Sequence, residues 1–546
     1  MELRNAQHLP EPGASQWHVS MKQICCKTFA KWPLADEKVA RPGEDKVQSM
    51  QGARKSAFSA RFVRIFAAIS ATFAMAITGA KAAAQVPGIG QPVVAQSNSG
   101  PGDTSALARE ATTWLAELIK INTTNPPGNE EAAAKYIAGI LQKEGIVAEL
   151  LPLAPGRSAL VARLNASAIA DPSKALLLVA HMDVVGVERA KWTVDPFGAV
   201  PKDGYIYGRG AIDDKGMLAA NLAAFVYLKR TNARLSRDVI FLATDDEEGF
   251  GDASVKTLIA KYWDKIAAKY SINEGGNVFL KNGKVQYVAV QASEKVSMNV
   301  TVTAKGSSGH ASIPVKDNAV THLAAAVEKI GNYTPPVRFT TIVRRYFEGI
   351  APLEDGDIAK WIRSLDTPDR GEHAARVIAD AKPLWNAMLR DTISPTMLNA
   401  GVRPNVIPSE ATATLSVRLL PGNTITSLLA ELNKLVNDPQ VKLEVQKDAG
   451  LAAPDSSLES EFYQAIVKAS AEEFGGAPVL PFQSTWATDS AQLRLHSVQA
   501  YGLVPFPLTE EDLKGMHAPD ERIPAASFAK GVSLMVRLVS EFAASR

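Results

Sequence analysis

The amino-acid sequence predicts an α/β fold with a mostly parallel central sheet and flanking helices, plus an inserted smaller α+β domain. Continuous apolar runs at 175–180 and 238–243 are typical of strands buried on both faces, and helical patterns alternate with them. From Glu294 onward the strand-like runs instead alternate apolar and polar residues, which is typical of a half-exposed sheet. These two hydrophobicity patterns together predict two domains of different construction.

The length of 546 residues is too great for one ordinary domain. We predict a catalytic domain built from residues 105–293 and 449–546, interrupted by a lid or dimerisation domain at 294–448. A mostly helical insertion at about 335–395 lies within the inserted domain. The hydrophobic fraction of 46% and the charged fraction of 21% are ordinary for a soluble globular protein.

Residues 1–84 are predicted to be an N-terminal extension that ends in an export signal. Basic residues at 54–64 precede an apolar run at 65–80, and small residues follow at 82–84. This order is typical of a cleaved secretory signal. We therefore expect export to a periplasm or secretion, and no stable membrane span after processing, with an uncleaved N-terminal anchor as the alternative. Residues 85–104, rich in Pro, Gly, Ser and Gln, are predicted to be a linker.

The individual elements follow from periodicity and from helix breakers. Apolar residues recur at helical spacing over 107–121 and 130–144, and the run NPPGN at 125–129 separates these two helices. A further helix is predicted at 217–229. The predicted strands are 159–164, 175–180 and 238–243 in the catalytic domain, and 296–304, 411–419 and 441–445 in the inserted domain.

Charge and cysteine content exclude several classes of protein. The net charge is +2 and no basic tract carries interleaved aromatic residues, so nucleic acid is not an expected partner. The only cysteines, Cys25 and Cys26, lie in the first thirty residues. The rest of the chain therefore has no disulfide framework, cysteine nucleophile or thiolate metal site.

Histidine and acidic residues lie where predicted parallel strands end. His181 and Asp183 follow the run at 175–180, an acidic run at 245–248 follows the next strand, and Asp213 precedes a helix. Each alone has an ordinary interpretation, as a structural histidine, a solvated acidic surface or a helix N-cap. Loops at the carboxyl ends of parallel strands meet, however, and so much negative charge in one cleft is costly without a cation. Histidine and carboxylate ligands suit Zn²⁺ in an open catalytic site.

Seven short motifs make this interpretation specific. In chain order they are AHMDVV, GRGAIDDKG, TDDEEG, NEGG, GHAS, NVIP and MHAPDE. Together they resemble the M20 metallopeptidase family, which includes aminoacylase-1, glutamate carboxypeptidase, succinyl-diaminopimelate desuccinylase and carboxypeptidase S. The resemblance covers essentially residues 105–546 and implies a zinc-exopeptidase-like catalytic domain. NEGG and the helical insertion look closest to the carboxypeptidase S and N-fatty-acyl amino acid hydrolase branch.

The resemblance implies a centre with two metal ions per chain. Asp213 is expected to bridge the ions. His181 and Glu274 complete the protein ligands of one ion, and Glu248 and His517 complete those of the other. Zn²⁺ is the expected metal, and Co²⁺ or Mn²⁺ could bind the same carboxylate and imidazole set.

Glu247 is implied to be the general base and acid, acting on a water held between the ions. Two divalent ions can lower the pKa of a shared water, and a neighbouring glutamate that is not a ligand is free to accept and return its proton. Asp183 is expected to hydrogen-bond the ring of His181 and fix its tautomer. A cis peptide bond is expected between Asp213 and Asp214.

Three residues of the inserted domain are implied to bind substrate. His310 resembles the histidine that stabilises the oxyanion, which in dimeric members comes from the partner subunit. Asn405 and Arg418 match the pair that grips the substrate carboxylate, a task that suits a bidentate guanidinium. The simpler alternatives are a turn residue for His310 and a surface charge for Arg418. Hinge closure of the inserted domain is expected to bring His310 and Arg418 over the metal ions.

The expected function is that of a two-zinc hydrolase cleaving a peptide or amide bond next to a free carboxylate, as a carboxypeptidase or dipeptidase. An N-acyl amino acid hydrolase is the alternative on the same site, because both substrate classes carry that carboxylate. A non-catalytic binding protein on the same fold and a mononuclear zinc enzyme are the remaining alternatives. The chain is expected to be a monomer, or a homodimer through the inserted domain.

Overall fold

The structure, a computed structural model, describes most of the chain after residue 102. The predicted N-terminal extension, the export signal and most of the linker lie outside the described residues, at 1–102. Within the described part, no helix combines the length and the apolar character needed to cross a membrane. The described residues are 103–166, 174–249, 255–367, 369–447 and 450–544.

Fourteen α-helices lie in the described part of the chain. They are α1 (Ser105–Lys120), α2 (Glu130–Lys143), α3 (Lys215–Arg230), α4 (Val255–Ile266), α5 (Ala319–Gly331), α6 (Thr341–Ile350), α7 (Gly356–Ser364), α8 (Gly371–Ala381), α9 (Pro383–Leu389), α10 (Ile425–Val436), α11 (Glu461–Glu473), α12 (Ser490–Leu495), α13 (Glu510–Leu513) and α14 (Ala525–Ala543). The three helices predicted in the catalytic domain are confirmed as α1, α2 and α3. The apolar face of α1, which includes Trp114 and Leu118, is buried in the main core as its spacing predicts.

Seventeen β-strands lie in the same described ranges. They are β1 (Ala148–Ala154), β2 (Arg157–Leu164), β3 (Leu176–His181), β4 (Val200–Lys202), β5 (Tyr205–Tyr207), β6 (Val239–Thr244), β7 (Tyr270–Lys281), β8 (Lys284–Glu294), β9 (Val296–Lys305), β10 (Gly309–His310), β11 (Thr392–Ala400), β12 (Val406–Ile407), β13 (Glu410–Leu419), β14 (Val441–Val445), β15 (Val479–Ser484), β16 (Gln499–Leu508) and β17 (Arg522–Pro524). The six predicted strands are confirmed as β2, β3, β6, β9, β13 and β14.

Eight strands form a central sheet in the order β1-β2-β6-β3-β7-β16-β8-β15. Its middle is parallel, as predicted, because β6, β3, β7 and β16 all run in one direction. β1 and β2 add an antiparallel edge on one side, and β8 runs antiparallel to β16 on the other. Every residue of β3 and β6 is buried, because α1, α3 and α14 cover one face of the sheet and α4 and α12 cover the other.

Four further strands form an antiparallel sheet in the order β11-β13-β9-β14. Alternate residues of β9 and β13 are buried against α5 and α10, and the residues between them face away from this core. This confirms the predicted half-exposed sheet. β9 and β13 pair over their whole length, from Val296 opposite Leu419 to Lys305 opposite Glu410.

Helices α6 to α9 form the predicted helical insertion. Their apolar side chains pack over β8 and β15 of the central sheet. The rings of Tyr346 and Phe482 lie 5.7 Å apart, and Trp385 Nε1 donates a hydrogen bond of 3.1 Å to Tyr346 Oη. The insertion therefore packs against the central sheet, although in the sequence it lies between strands of the smaller sheet.

A single residue separates the last strand of the first segment of the central sheet from the first strand of the smaller sheet. β8 ends at Glu294 and β9 begins two residues later, so only Lys295 lies between them. Lys295 is buried, and its ammonium donates to the carbonyl oxygens of Ala387 (3.0 Å) and Arg390 (2.8 Å) and to Thr392 Oγ1 (3.0 Å). The end of the helical insertion and the start of β11 therefore hold the junction between the sheets.

Candidate metal centre

The candidate centre lies at the carboxyl ends of β3 and β6. His181 is the last residue of β3, and it lies opposite Thr244, the last residue of β6. Glu247 and Glu248 follow β6 within a short turn. Because the two strands are parallel neighbours, they deliver these side chains to one edge of the sheet, as the sequence predicts.

Two groups of ligand atoms share Asp213. One group contains His181, Asp213 and Glu274, and the other contains Asp213, Glu248 and His517; within each group the atoms lie within 4.8 Å of one another. Asp213 Oδ1 is 3.0 Å from His181 Nε2, and Asp213 Oδ2 is 3.1 Å from His517 Nε2. Each oxygen of this carboxylate therefore faces a different group, as a bridging ligand requires.

Asp213 comes from the loop before α3. The peptide bond between Asp213 and Asp214 is cis, as the resemblance implies. Asp214 occupies the N-cap position of α3, but its side chain makes no capping hydrogen bond. The ordinary interpretation of this aspartate pair as a helix cap is therefore wrong, and Asp213 instead faces the centre.

Glu274 reaches the centre from within a strand. β7, which is not among the strands predicted from the sequence, runs unbroken through the NEGG motif. Gly275 has φ +128°, and a Cβ at this position would lie 2.7 Å from Gln291 Cδ. The glycines let β7 pass close to its neighbours while Glu274 faces the centre. Because glycine has low strand propensity, the sequence pattern hid this strand.

The electrostatics of the centre favour a bound cation. Burial raises the pKa of Glu274 well above its usual value, and the Asp213 carboxylate adds to the rise. Burial, followed by the charge of Glu274, likewise raises the pKa of Glu247. Burial also disfavours the charge of Asp213, but hydrogen bonds to His181 and His517 outweigh it and lower the pKa. A divalent cation would stabilise these carboxylates in their ionised form, and oxygen and imidazole donors without thiolate fit zinc and similar ions.

Asp183 has a wider role than the expected contact with the histidine ring. His181 Nδ1 lies 2.9 Å from the backbone carbonyl oxygen of Asp183 and 3.3 Å from its Oδ1, so the backbone carbonyl is the nearer acceptor. The carboxylate of Asp183 also accepts hydrogen bonds from the backbone N–H groups of Glu247 (3.2 Å) and Glu248 (3.0 Å). Asp183 therefore orients both the histidine and the glutamate pair.

Asn125 is a residue of the centre that the sequence analysis missed. Its Nδ2 donates to Asp183 Oδ2 (2.9 Å) and to Asp246 Oδ1 (2.6 Å), and its own backbone N–H donates to Val184 O (2.9 Å). Asn125 thus supports Asp183 from outside the ligand groups. The run NPPGN predicts only a helix break, and nothing in it signals this long-range contact.

Asp489 was missed as well. It is buried beside the centre, where its Oδ2 accepts a hydrogen bond of 3.0 Å from Thr244 Oγ1. Burial raises the pKa of Asp489 to about 7, although the nearby His181 opposes the rise. Its signal in the sequence is an acidic residue shortly after a short apolar strand, the same pattern that pointed to Asp183.

Arg418 is half-buried on β13. Within the described ranges it makes no ion pair, and its Nη1 is buried without a hydrogen-bond partner. Burial lowers its pKa from the usual value for arginine. A guanidinium without a protein carboxylate is suited to receive one from a ligand.

His310 and Asn405 lie together, but at a distance from Arg418. The backbone N–H of Ala311 donates to Asn405 O (3.1 Å), and His310 Nδ1 lies 2.7 Å from Ser312 Oγ. This pair adjoins the Glu410 end of β13, eight residues from Arg418, which corresponds to roughly 26 Å at ~3.3 Å per residue. The expectation that hinge closure brings both His310 and Arg418 over the metal ions stays a prediction; because a hinge moves both ends of one sheet together, the closed site of one chain would have to span this length of strand.

These observations define a class of protein. A shared carboxylate, two histidines and two further carboxylates gather at the edge of a parallel sheet, beside a glutamate that belongs to neither ligand group. This is the arrangement of a metal-dependent hydrolase that acts through a bound water. The chain belongs to peptidase family M20/M25/M40, whose family model matches residues 177–541. It is a peptidase or amidohydrolase of this family, with two groups of candidate metal ligands among its described residues, which confirms the resemblance.

Similar proteins come from several kingdoms. The human N-fatty-acyl-amino acid synthase/hydrolase PM20D1 is 29% identical over 379 residues, covering 68% of this chain and 74% of the relative. The probable carboxypeptidase S-like protein 2 of Dictyostelium discoideum is 28% identical over 393 residues, covering 69% and 73%. The M20 metallo-carboxypeptidase Sso-CP2 of Sulfolobus solfataricus shares the fold, with a TM-score of 0.63 and 22% identity over 79% of this chain and 99% of that one.

Proposed function

We propose that this protein is a two-zinc carboxypeptidase-type hydrolase, which cleaves the amide bond preceding a residue with a free carboxylate. The observation that carries the proposal is Asp213, whose two oxygens face different ligand groups while Glu247 belongs to neither. The donor set favours zinc, and cobalt or manganese would also fit it.

The side chains divide the chemistry between them. Two ions held by the ligand groups would polarise the scissile carbonyl and acidify a shared water. Glu247 accepts the proton of that water and returns it to the leaving amine. Asp183 Oδ1 accepts a hydrogen bond of 3.2 Å from the backbone N–H of Glu247. This contact keeps the Glu247 carboxylate beside the centre without making it a ligand. Arg418 binds the substrate carboxylate, because no described side chain neutralises it.

A substrate panel tests this function. The zinc-loaded protein is incubated with dipeptides, longer peptides and N-acyl amino acids, each in a free-acid and a C-terminal amide form. We expect cleavage of free acids only, at the bond next to the terminal residue, and the preferred acid identifies the substrate class. Cleavage of amides at the same rate, or of no compound by protein that holds two zinc ions, contradicts the proposal.

N-acyl amino acids are the second candidate substrates. The observation that favours them is the 29% identity to the human N-fatty-acyl-amino acid synthase/hydrolase. They carry the same carboxylate for Arg418, and differ from peptides in having no free amine on the acyl side. The same panel separates the two candidates, because faster cleavage of an N-acyl amino acid than of the matching dipeptide identifies this class.

Replacing Arg418 by methionine should weaken binding of the substrate carboxylate. We expect KM for the preferred free acid to rise about 10- to 100-fold, which corresponds to about 1.5–3 kcal/mol for hydrogen bonds to a charged group. Discrimination between the free acid and its amide should fall by the same factor. Steady-state kinetics of Arg418→Met and of the control Arg363→Met, a change at an exposed residue of α7, measure this. An unchanged KM in Arg418→Met would mean that another residue binds the substrate carboxylate.

We also propose that the protein is a homodimer, in which each chain supplies His310 and Asn405 to the site of the other. The length of β13 between the end that adjoins this pair and Arg418, roughly 26 Å, supports a second copy as their route to the centre. Strand β11 forms an open edge of its sheet, and Met397 and Leu398 on it are each 67% exposed. An open strand edge with exposed apolar side chains is suited to pairing between chains.

Subunit complementation tests the dimer. His310→Ala and Glu247→Gln should each be nearly inactive as pure proteins. When the two are co-refolded, half of the dimers are mixed and each mixed dimer has one complete site, so activity should return to about a quarter of wild type. Molar mass by light scattering checks the assembly. A monomeric mass, or no recovery in mixed dimers of confirmed composition, contradicts the proposal.

A further inference from the structure

Glu521, the last residue of the MHAPDE motif, is a buried carboxylate with hydrogen bonds to both of its oxygens. Its side chain is completely buried. Oε2 accepts from Arg209 Nη1 (2.6 Å) and from the backbone N–H of Gly210 (3.0 Å). Oε1 accepts from the backbone N–H groups of Ile212 (2.9 Å) and Asp213 (3.2 Å). One carboxylate therefore holds the backbone of the loop up to the bridging aspartate itself.

Arg209 extends this contact to the second loop of the centre. Its Nη2 donates to the backbone carbonyl oxygen of His517 (3.2 Å), and its guanidinium lies 5.3 Å from the ring of Trp192. The backbone N–H of Gly208 also donates to Glu521 O (2.9 Å). The pair of Arg209 and Glu521 is thus a buried brace between the loop that carries Asp213 and the loop that carries His517.

The two ligand groups differ in how much they need such a brace. His181 and Glu274 are buried and lie on β3 and β7 of the central sheet, so packed strands hold them. His517 lies on a loop, is 53% exposed, and has φ +60°. Within the described residues, the polar contacts of its ring are with carboxylates of its own ligand group, Asp213 and Glu248.

We propose that Glu521 is a positioning residue that, through Arg209, fixes His517 relative to Asp213 and so sets the affinity of the ligand group formed by Asp213, Glu248 and His517. A buried carboxylate is costly unless it is fully paired, so a purely space-filling role would be served better by an apolar side chain. Four donors from residues 209–213 of the loop that carries Asp213 converge on Glu521, which lies on the loop that carries His517, and they give this contact a specific orientation. This inference rests on the two-metal centre of the proposed function.

Zinc counting on the holoenzyme tests the inference. Glu521→Gln keeps the size of the side chain but turns an N–H donor toward the backbone N–H groups. Loss of a residue that orients a ligand costs about 10- to 100-fold in metal affinity. We expect this loss for one zinc ion and a change of less than about threefold for the other, in competition with a chelator. Glu511→Gln, an 83% exposed residue paired with Arg522, is the matched control and should keep both affinities.

Arg209→Lys provides a second variant in case Glu521→Gln does not fold. It keeps the positive charge beside Glu521 but shortens the reach to His517 O, so we expect a smaller loss at the same ion. Excess zinc should restore activity in both variants, even though the loss of a buried ion-pair partner lowers the melting temperature of the metal-free protein. If the affinity for both zinc ions fell equally and the metal-free melting temperature also fell, the role would be merely structural and the inference would be overturned. Wild-type affinity for both ions would also overturn it. Fewer than two zinc ions in the wild type would instead contradict the proposed function.

Discussion

Glu247→Gln should lower kcat by about 10²- to 10⁴-fold, the usual contribution of a general acid–base group, while both metal ions remain bound. Glutamine is nearly the same size, so the hydrogen bond from the backbone N–H of this residue to Asp183 (3.2 Å) remains. What is lost is the carboxylate that takes a proton from water and returns it to the amine. Because Glu247 is in neither ligand group, metal content should stay at two ions per chain.

Kinetics and metal analysis of the same preparation measure this effect. Glu348→Gln, on the exposed face of α6, is the matched control and should retain full activity. KM should change little, because Glu247 acts on water rather than on the substrate carboxylate. If Glu247→Gln retained more than about a tenth of kcat with two ions bound, the base would have to be another group, and the buried Asp489 would be the next candidate.

Asp213→Asn should abolish activity by removing both metal ions. Each carboxylate oxygen of Asp213 faces a different ligand group, at 3.0 Å from His181 Nε2 and 3.1 Å from His517 Nε2. An amide offers one neutral oxygen in place of two charged ones, so neither group keeps its complete ligand set. Because metal binding stabilises the folded state, the variant should melt at the temperature of the metal-free wild type whether or not zinc is added.

Metal analysis, activity and thermal unfolding with and without chelator test this prediction together. Chelator should lower the melting temperature of the wild type and of the control Asp357→Asn, a change at an exposed residue of α7, but should not affect Asp213→Asn. One tightly bound ion remaining in Asp213→Asn would show that Asp213 serves one group rather than both. The metal centre would then be better described as a mononuclear site with a second ion nearby.

The sequence predicts those parts of the centre that depend on local pattern. His181 ends a continuous apolar run, and the acidic run after β6 ends another, so their meeting at one sheet edge follows from parallel pairing alone. The motif order then supplied Asp213, Glu274 and His517, all of which the structure brings into two groups. The half-exposed sheet was predictable for a similar reason, since its strands alternate with a period of two.

Features that depend on tertiary contacts were not predictable. Asn125 lies in a turn, and only the folded chain brings it to Asp183, 58 residues later. The helical insertion lies against β15, which follows it in sequence, so chain order misplaced it. The distance between His310 and Arg418 depends on the full pairing of β9 with β13, a register that no local pattern contains.

The one-residue junction between β8 and β9 limits which segments of this enzyme can be exchanged with those of a relative. Exchanging α6 to α9 for the corresponding segment of a relative shows this limit. That segment, with the residue that follows it, also supplies the carbonyl oxygens of Ala387 and Arg390 that receive the Lys295 ammonium. A graft without equivalent carbonyls leaves a buried ammonium with a single acceptor, Thr392 Oγ1, and a buried cation without partners is strongly destabilising. A successful chimera must therefore supply its own carbonyl acceptors for the Lys295 ammonium, or replace the lysine by an apolar residue in the same step.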